Sequence, residues 1–360
     1  MTLDIVRYRL HNQLLSQTKF TRPSQIVEQL GAVQSQDYAG AKWALGQRLQ
    51  DSTTDAAIDK AFNEGKILRT HVMRPTWHFV SPKDIRWLLM LTAPRVHAAN
   101  AHMYRKLELD KAILKKGNAT LEKVLRDGKQ LTRAELAARF QQAGIVADGL
   151  RLGYLVSYAE LEGLICSGAR KGKQFTYALL EERAPQVKPL KHDEALAELV
   201  RRYFATRGPA TLYDFTWWSG LTMADAKKGM EMVKSQFASE LLDDQTYWFA
   251  DSVSPVKEKS PTAHLLPNYD EYFIGFKDRS AIGEVAKQAG IKGDDPSLIA
   301  HIIILDGQIV GGWRRTVTKN AILLERKLFT ELTRGQQRAL LQEADRYSEF
   351  LQLPVELVEA

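Results

Sequence analysis

Apolar residues in the first eighty positions recur at two spacings. Leu3, Ile5, Val6, Leu10, Leu14 and Leu15 share one face of a helix predicted over residues 3–16. Ile26, Val27, Leu30 and Val33 repeat at the same spacing behind Thr21 and Pro23, which open a second helix ending near Leu30. Trp43, Ala44 and Leu45 begin a third, about 37–49. After Glu64-Gly65 the pattern changes, and Ile67 to Val72 and Trp77 to Val80 predict two short strands around Met73-Arg74-Pro75. Helices followed by a hairpin predict a winged helix-turn-helix. Residues 82–125 read as helical, with Ile85, Trp87, Leu88, Leu89 and Leu91 apolar; together with the basic tract Lys115-Lys116-Gly117-Asn118 they predict a connector.

The same order of elements returns twice. Thr132 and Glu135 form a capping-box pattern, a helix runs to about Gln142, Gly144 breaks it, and a helix near 149–162 leads to strands 164–169 and 174–180. The strands are joined by Arg170-Lys171-Gly172-Lys173, a basic wing tip. Pro185, Val187 and Pro189 mark a linker. A helix from Asp193 to Ala205 follows, then Thr211 to Asp214 and Thr222 to Asp225, two capping boxes flanking Gly220, with Leu241 to Ala250 as a further wing.

From about 261 the pattern shifts toward strands. Ala300 to Leu305, the turn Asp306-Gly307 and Gln308 to Trp313 predict a hairpin, because Asp-Gly accepts the positive φ its turn requires. Ala321 to Phe329 predicts another strand, and Thr333 to Phe350 a closing helix. The fold class is therefore α+β: three tandem winged helix-turn-helix modules over 1–125, 126–184 and 190–255, and a small C-terminal β domain over 261–360.

Composition adds a direction. A net charge of +7 favours an acidic partner, DNA before others, and an apolar content of 44% supports packed cores. The one cysteine, Cys166 in the apolar run Leu164-Ile165-Cys166, excludes an intrachain disulfide and reads as a buried thiol. Histidines are scattered and no glycine-rich phosphate loop occurs, so neither a metal nor a cofactor is expected. The first residues mix Asp4, Arg7, Arg9 and His11 with apolar positions, unlike a signal peptide or membrane span, which places the protein in the cytoplasm, near the nucleoid of a bacterium.

The candidate chemistry lies where the second helix hands over to the third, at Val33-Gln34-Ser35-Gln36-Asp37. Residues two apart share a face only in extended backbone, and Ser35 and Asp37 are both good helix caps. Gln34 and Gln36 would then present two carboxamides to one small polar object; capping or binding backbone is the other use open to them. Asp37 is the carboxylate beside them, with an N-cap or a water-activating role. Arg74 and His78 flank the first hairpin, Arg74 facing DNA and His78 either near a lesion or packed between Trp77 and Phe79. Trp217-Trp218 and Trp313 read as core residues.

The Gln-x-Gln motif resembles the catalytic motif of the AlkZ-type winged-helix DNA glycosylases, which remove alkylated purines and unhook interstrand crosslinks. The likeness extends through Leu68-Arg69-Thr70, Met73-Arg74-Pro75-Thr76-Trp77-His78, Leu265-Leu266-Pro267-Asn268-Tyr269-Asp270-Glu271-Tyr272, Lys277-Asp278-Arg279 and Val310-Gly311-Gly312-Trp313-Arg314-Arg315. The chain departs from the pattern at Ser35, where the family carries a small or aliphatic residue.

The resemblance implies Gln34 and Gln36 as catalytic residues, contacts to duplex DNA from Arg74 and Arg314, and phosphate contacts from Arg170, Lys171 and Lys173 at the basic hairpin tip, where a solvated charged turn is the other reading. Asp37, His78, Asp270 and Tyr272 would support the glutamines, although buried ion pairing between the β domain and a winged helix explains Asp270, Tyr272, Lys277 and Arg279 equally well.

Glutamine does not titrate near neutral pH, so it can orient water and offer dipoles but cannot act as a general base. Such a site needs a leaving group already close to departure: a cationic N7-alkylated purine, which leaves neutral. Bulky adducts do not flip into a tight pocket, which predicts an open cleft. The reading is a monomeric, monofunctional glycosylase acting by water, with no Schiff-base lysine. The alternatives are a non-catalytic winged-helix DNA-binding protein or transcriptional regulator, and an RNA-binding protein.

Overall fold

A computed structural model describes residues 3–50, 52–250, 261–291 and 301–359. The chain begins with α1 (Ile5–Asn12), α2 (Pro23–Leu30), β1 (Ala32–Gln34), α3 (Tyr38–Gly46), α4 (Asp55–Asn63), β2 (Leu68–Val72) and β3 (Thr76–Val80). Pro23 occupies the first turn of α2, and Gly31 ends the helix at a φ of 79°, a conformation that costs glycine little. The chain therefore turns at once into β1, which joins the β2–β3 hairpin in an antiparallel sheet of order β1-β3-β2. α1 is shorter than its apolar pattern predicts, because Leu14 takes a positive φ of 62° and turns the chain away. The α4 helix was not anticipated.

Next come α5 (Ile85–Lys106), α6 (Lys111–Leu125), β4 (Leu131–Thr132), α7 (Arg133–Gln142), α8 (Gly149–Leu161), β5 (Ile165–Ser167) and β6 (Thr176–Leu179). Thr132 and Glu135 cap α7 reciprocally, as their spacing predicts. The tract Lys115 to Asn118 lies inside α6 rather than in a link. Beneath its lysines, Leu114, Leu121 and Leu125 pack with Leu136, Phe140, Leu152 and Leu155 of α7 and α8. Gly117 lets α6 lie close to α8, since a Cβ there would meet Leu155 at 3.3 Å.

Then follow α9 (Leu180–Arg183), α10 (His192–Arg207), α11 (Leu212–Ser219), α12 (Met223–Val233), β7 (Ala238–Leu242) and β8 (Gln245–Phe249). Both predicted capping boxes form, and Gly220 between them is left-handed. Residues 251–255 of this predicted unit lie outside the described residues. Leu196, Tyr203, Phe204, Phe215 and Trp218 share one core with Leu68, Val72, Val80 and Leu88, so α10 and α11 are sealed against the first hairpin and α5.

The C-terminal part holds β9 (Ala263–Leu266), α13 (Glu271–Ile274), α14 (Glu284–Gln288), β10 (Ile302–Leu305), β11 (Gln308–Val317), β12 (Ile322–Leu328), α15 (Arg334–Leu351) and β13 (Val355–Glu359). Its sheet has the order β13-β12-β11-β10-β9, with β12 and β13 parallel and the other pairs antiparallel. Asp306 and Gly307, at φ of 47° and 82°, make the predicted hairpin turn; Ala300 lies outside the described residues. Leu265, Trp313, Tyr347 and Phe350 pack into one core with Ile26, Leu30, Val33, Trp43 and Phe79. The fold is α+β, and β1 lies between two shared cores.

Candidate active site

β1 ends at Gln34, the first of the three motif residues. Ser35, just past the strand, is fully buried, and Gln36 stands exposed at the bend that leads into α3. Gln34 is buried and sits opposite His78 in the ladder; Gln36 is exposed. Each carboxamide oxygen meets the β2–β3 hairpin. Arg74 Nη2 donates to Gln34 Oε1 at 2.9 Å, and the Trp77 backbone N–H donates to Gln36 Oε1 at 3.4 Å. Because a guanidinium can only donate, the oxygen of Gln34 must face Arg74 and its NH2 must face away. Among the described residues, no hydrogen bond uses the amide nitrogen of either glutamine.

The backbone of the motif is fastened at three points. Ser35 N donates to Trp77 O at 2.8 Å. Its carbonyl accepts from Nε and Nη2 of Arg69 at 3.2 and 3.0 Å. The Arg69 guanidinium lies between the rings of Trp77 and Phe175, at 4.3 and 4.5 Å from their centroids, and burial lowers its pKa to about 10, still far above neutrality. The Gln34 N–H donates to Glu271 Oε1 at 2.9 Å. The other oxygen of Glu271 accepts from Arg207 Nη2 at 2.7 Å and from Trp218 Nε1 at 2.9 Å. Arg207 also donates to the carbonyls of Leu30 and Ala32, so one buried ion pair from α10 and α13 sets both ends of β1.

The remaining predicted residues separate into those near the motif and those elsewhere. Asp37 is the N-cap of α3, accepting from Gly40 N at 3.1 Å, with His301 Nε2 3.9 Å away. His78 is wholly buried, its Nδ1 bonded to Thr76 O, and burial lowers its pKa to about 3, so it is neutral. Asp270 forms a two-pronged ion pair with Arg48 and caps α13, and Tyr272 donates to Gly307 O. Both therefore tie the C-terminal domain to the first unit and to its own turn rather than reaching the glutamines.

In the turn between β5 and β6 Arg170 is folded back. Its guanidinium bonds Lys173 O, stands 3.7 Å from Asp59 and lies over the Tyr38 and Phe175 rings, while Lys171 pairs with Glu135 and Lys173 is exposed. Arg314 is exposed on β11. Cys166 is buried and burial pushes its thiol up to about 12. Trp218 and Trp313 are core residues, but Trp217 is 38% exposed, a correction to its prediction as core. Neighbours on a helix point about 100° apart, and only one of the two faces α10.

Three contributors escaped the sequence: Arg69, Glu271 and Arg207. Arg69 and Glu271 stood inside motifs already noted, whereas nothing marked Arg207. Beyond Trp77 a cavity of about 250 Å³ opens toward α8, lined by His71, Pro75, Tyr154, Tyr177 and Arg133. Among the described residues no helix is long and apolar enough to cross a membrane, and no three His, Cys, Asp or Glu side chains converge as metal ligands.

Residues 27–350 match the sequence profile of the family described as DNA glycosylase AlkZ-like. An interstrand DNA cross-link repair glycosylase of Streptomyces sahachiroi is 22% identical over 324 residues, 86% of each chain. The solved structure of the Streptomyces sahachiroi DNA glycosylase AlkZ superimposes with a TM-score of 0.78 at 19% identity, covering 99% of this chain and 98% of that one, which shows a common fold.

Proposed function

This chain belongs to the AlkZ-like DNA glycosylase family, and from that premise we propose that it hydrolyses the N-glycosidic bond of cationic N7-alkylated purines in duplex DNA, with Gln34 and Gln36 placing the attacking water. The observation that carries the reading is the opposed condition of the two amides. Gln34 is held at its oxygen by Arg74 and at its backbone by Glu271, which presents its NH2 in one orientation. Gln36 is exposed, and its oxygen, which accepts one long hydrogen bond from Trp77 N, keeps a second lone pair to accept a water O–H. A water gripped this way, donor on one side and acceptor on the other, keeps a lone pair for C1′.

The chemistry then closes without an acid. As the C1′–N9 bond breaks, its electrons return to the cationic imidazolium of the alkylated purine, and a neutral base departs. Water oxygen bonds to C1′, and its proton passes to solvent at this open site. The help required is orientation and dipole, which is all that uncharged side chains supply. His78, neutral and buried, takes no part in proton transfer.

The three helix–hairpin units act as tandem winged helices that dock on duplex by helix and wing, with Lys171, Lys173, Arg74 and Arg314 toward phosphates and Arg170 bracing the second wing from within. The exposure of Gln36 suits a lesion attacked from a cleft, including the alkylated purine of an interstrand crosslink. The experiment is incubation with a duplex carrying 7-methylguanine, then alkaline cleavage. An abasic product upholds the proposal. Tight sequence-selective binding without product would make the protein a regulator instead.

A further inference from the structure

On the Gln34 side of the site three cations gather around one half-exposed ring. Lys277 Nζ lies 4.7 Å from the Trp217 ring centroid, and the guanidinium carbons of Arg74 and Arg279 each lie 5.8 Å from it. Among the described residues none of the three forms a salt bridge. The carboxylates close by are engaged elsewhere. Asp214, fully buried, accepts the backbone N–H groups of Lys277 and Asp278 through one oxygen and caps α11 through the other. Asp278 accepts from Ser280 N and Tyr247 OH, and Glu271 is paired with Arg207.

The cations also stand on rigid supports. Asp214 binds the loop after α13 to the helix that carries Trp217, and the indole N–H donates to Ile274 O at 3.1 Å. Arg279 lies over Phe273 and donates to its carbonyl. At Gly220 a Cβ would meet the Met73 carbonyl at 3.1 Å, so the turn after α11 presses directly on the turn that holds Arg74. Burial, and then the charge of Arg74, lower the pKa of Arg279. Like charges brought together on fixed supports, in no direct ion pair and opposed only by the fields of Glu271 on Arg74 and Asp214 on Arg279, make a place for an external anion.

We propose that Arg74, Lys277 and Arg279 form one phosphate site, with Trp217 as its apolar floor, which binds the DNA backbone phosphate next to the reacting nucleotide. The inference rests on the glycosylase reading and deepens it. Arg74 belongs to both sites: its Nη2 holds the Gln34 oxygen, so seating the phosphate also sets the angle of that carboxamide. A phosphate bound here fixes the sugar to which it is attached relative to the water.

The test measures binding of a duplex with a stable tetrahydrofuran abasic analogue, across a salt series. Lys277→Met removes an exposed charge, and Arg279→Met removes the charge while keeping packing on Phe273. Each should weaken binding and flatten the slope of log K against log salt by about one at most. The double variant should also flatten it by about one, not two, because one phosphate is shared. Arg279→Lys should keep the slope.

Replacing single phosphates by neutral methylphosphonates should locate the site. One position flanking the analogue should cost the wild type about tenfold in affinity and the double variant almost nothing. An unaltered salt slope in the double variant, or equal losses for both proteins at every position, would overturn the proposal. Binding is read without excision, so absence of 7-methylguanine release, which would sink the glycosylase reading, is a separate result.

Discussion

Replacing Glu271 by glutamine tests how far the orientation of Gln34 depends on a remote ion pair. Four donors converge on the Glu271 carboxylate: Gln34 N, Trp218 Nε1, and Nε and Nη2 of Arg207. Glutamine keeps the shape but offers one acceptor and sets an NH2 against donors, and Arg207, fully buried, is left without its counter-charge. Removing one partner of such a pair costs about 3–5 kcal/mol. With one oxygen retained, about 3 kcal/mol is expected, roughly two orders of magnitude in an opening equilibrium. The loss should be local, so hydrogen–deuterium exchange of peptides covering residues 30–36 and 76–80 is the assay, and both should exchange about a hundredfold faster. Excision should fall in parallel while Gln36 stays chemically intact. Adding Arg207→Met removes the stranded charge and should recover part of the protection. Exchange within about threefold of the wild type, with undiminished excision, would show that the Glu271–Arg207 pair does not hold Gln34 in place.

Other consequences follow from single side chains. His78 is held at about pKa 3 by burial, against about 6.5 unfolded. As pH falls from 6.5 toward 3 the unfolded chain takes a proton that the folded chain refuses, and stability drops by roughly 1.4 kcal/mol per pH unit. His78→Gln should therefore flatten thermal midpoints between pH 6 and 4, leaving the same-signed contributions of His264 and His301, each held at about 4. Ser35→Ala deletes a buried hydroxyl that has no partner, and the thermal midpoint should stay level or rise, by up to about 1 kcal/mol in stability, with excision kept. Gly220→Ala puts a Cβ at a φ of 73° and 3.1 Å from the Met73 carbonyl; it should lose at least about 1 kcal/mol in denaturation and slow excision by shifting the Arg74 turn.

Local chemistry was legible in the sequence wherever a residue acts on its own neighbours. The boxes at Thr132, Thr211 and Thr222 and the Asp306-Gly307 turn all depend on contacts a few residues away. What stayed hidden is paired across the chain. Arg48 meets Asp270 and Arg207 meets Glu271 over 222 and 64 residues, and a motif of polar residues does not say which of them is the anchor. β13 pairs in parallel with β12 only because α15 carries the chain back, and Val355 to Glu359 has no turn signal to announce it. Arg170 occupies a turn, where charges are ordinarily solvated, but Tyr38 and Asp59 of the first unit lie within reach of it. Trp217 and Trp218 are alike in sequence, and only the position of α10 decides which is covered.

In the function we propose, the two carboxamides serve the chemical step and not the grip on DNA. The most direct test of this is single-turnover release of 7-methylguanine from duplex by Gln34→Ala and Gln36→Ala, alongside their affinity for the same duplex with the abasic analogue. Release should fall by about a hundredfold or more in each variant while affinity stays within about twofold. Release at the wild-type rate in both would contradict the account.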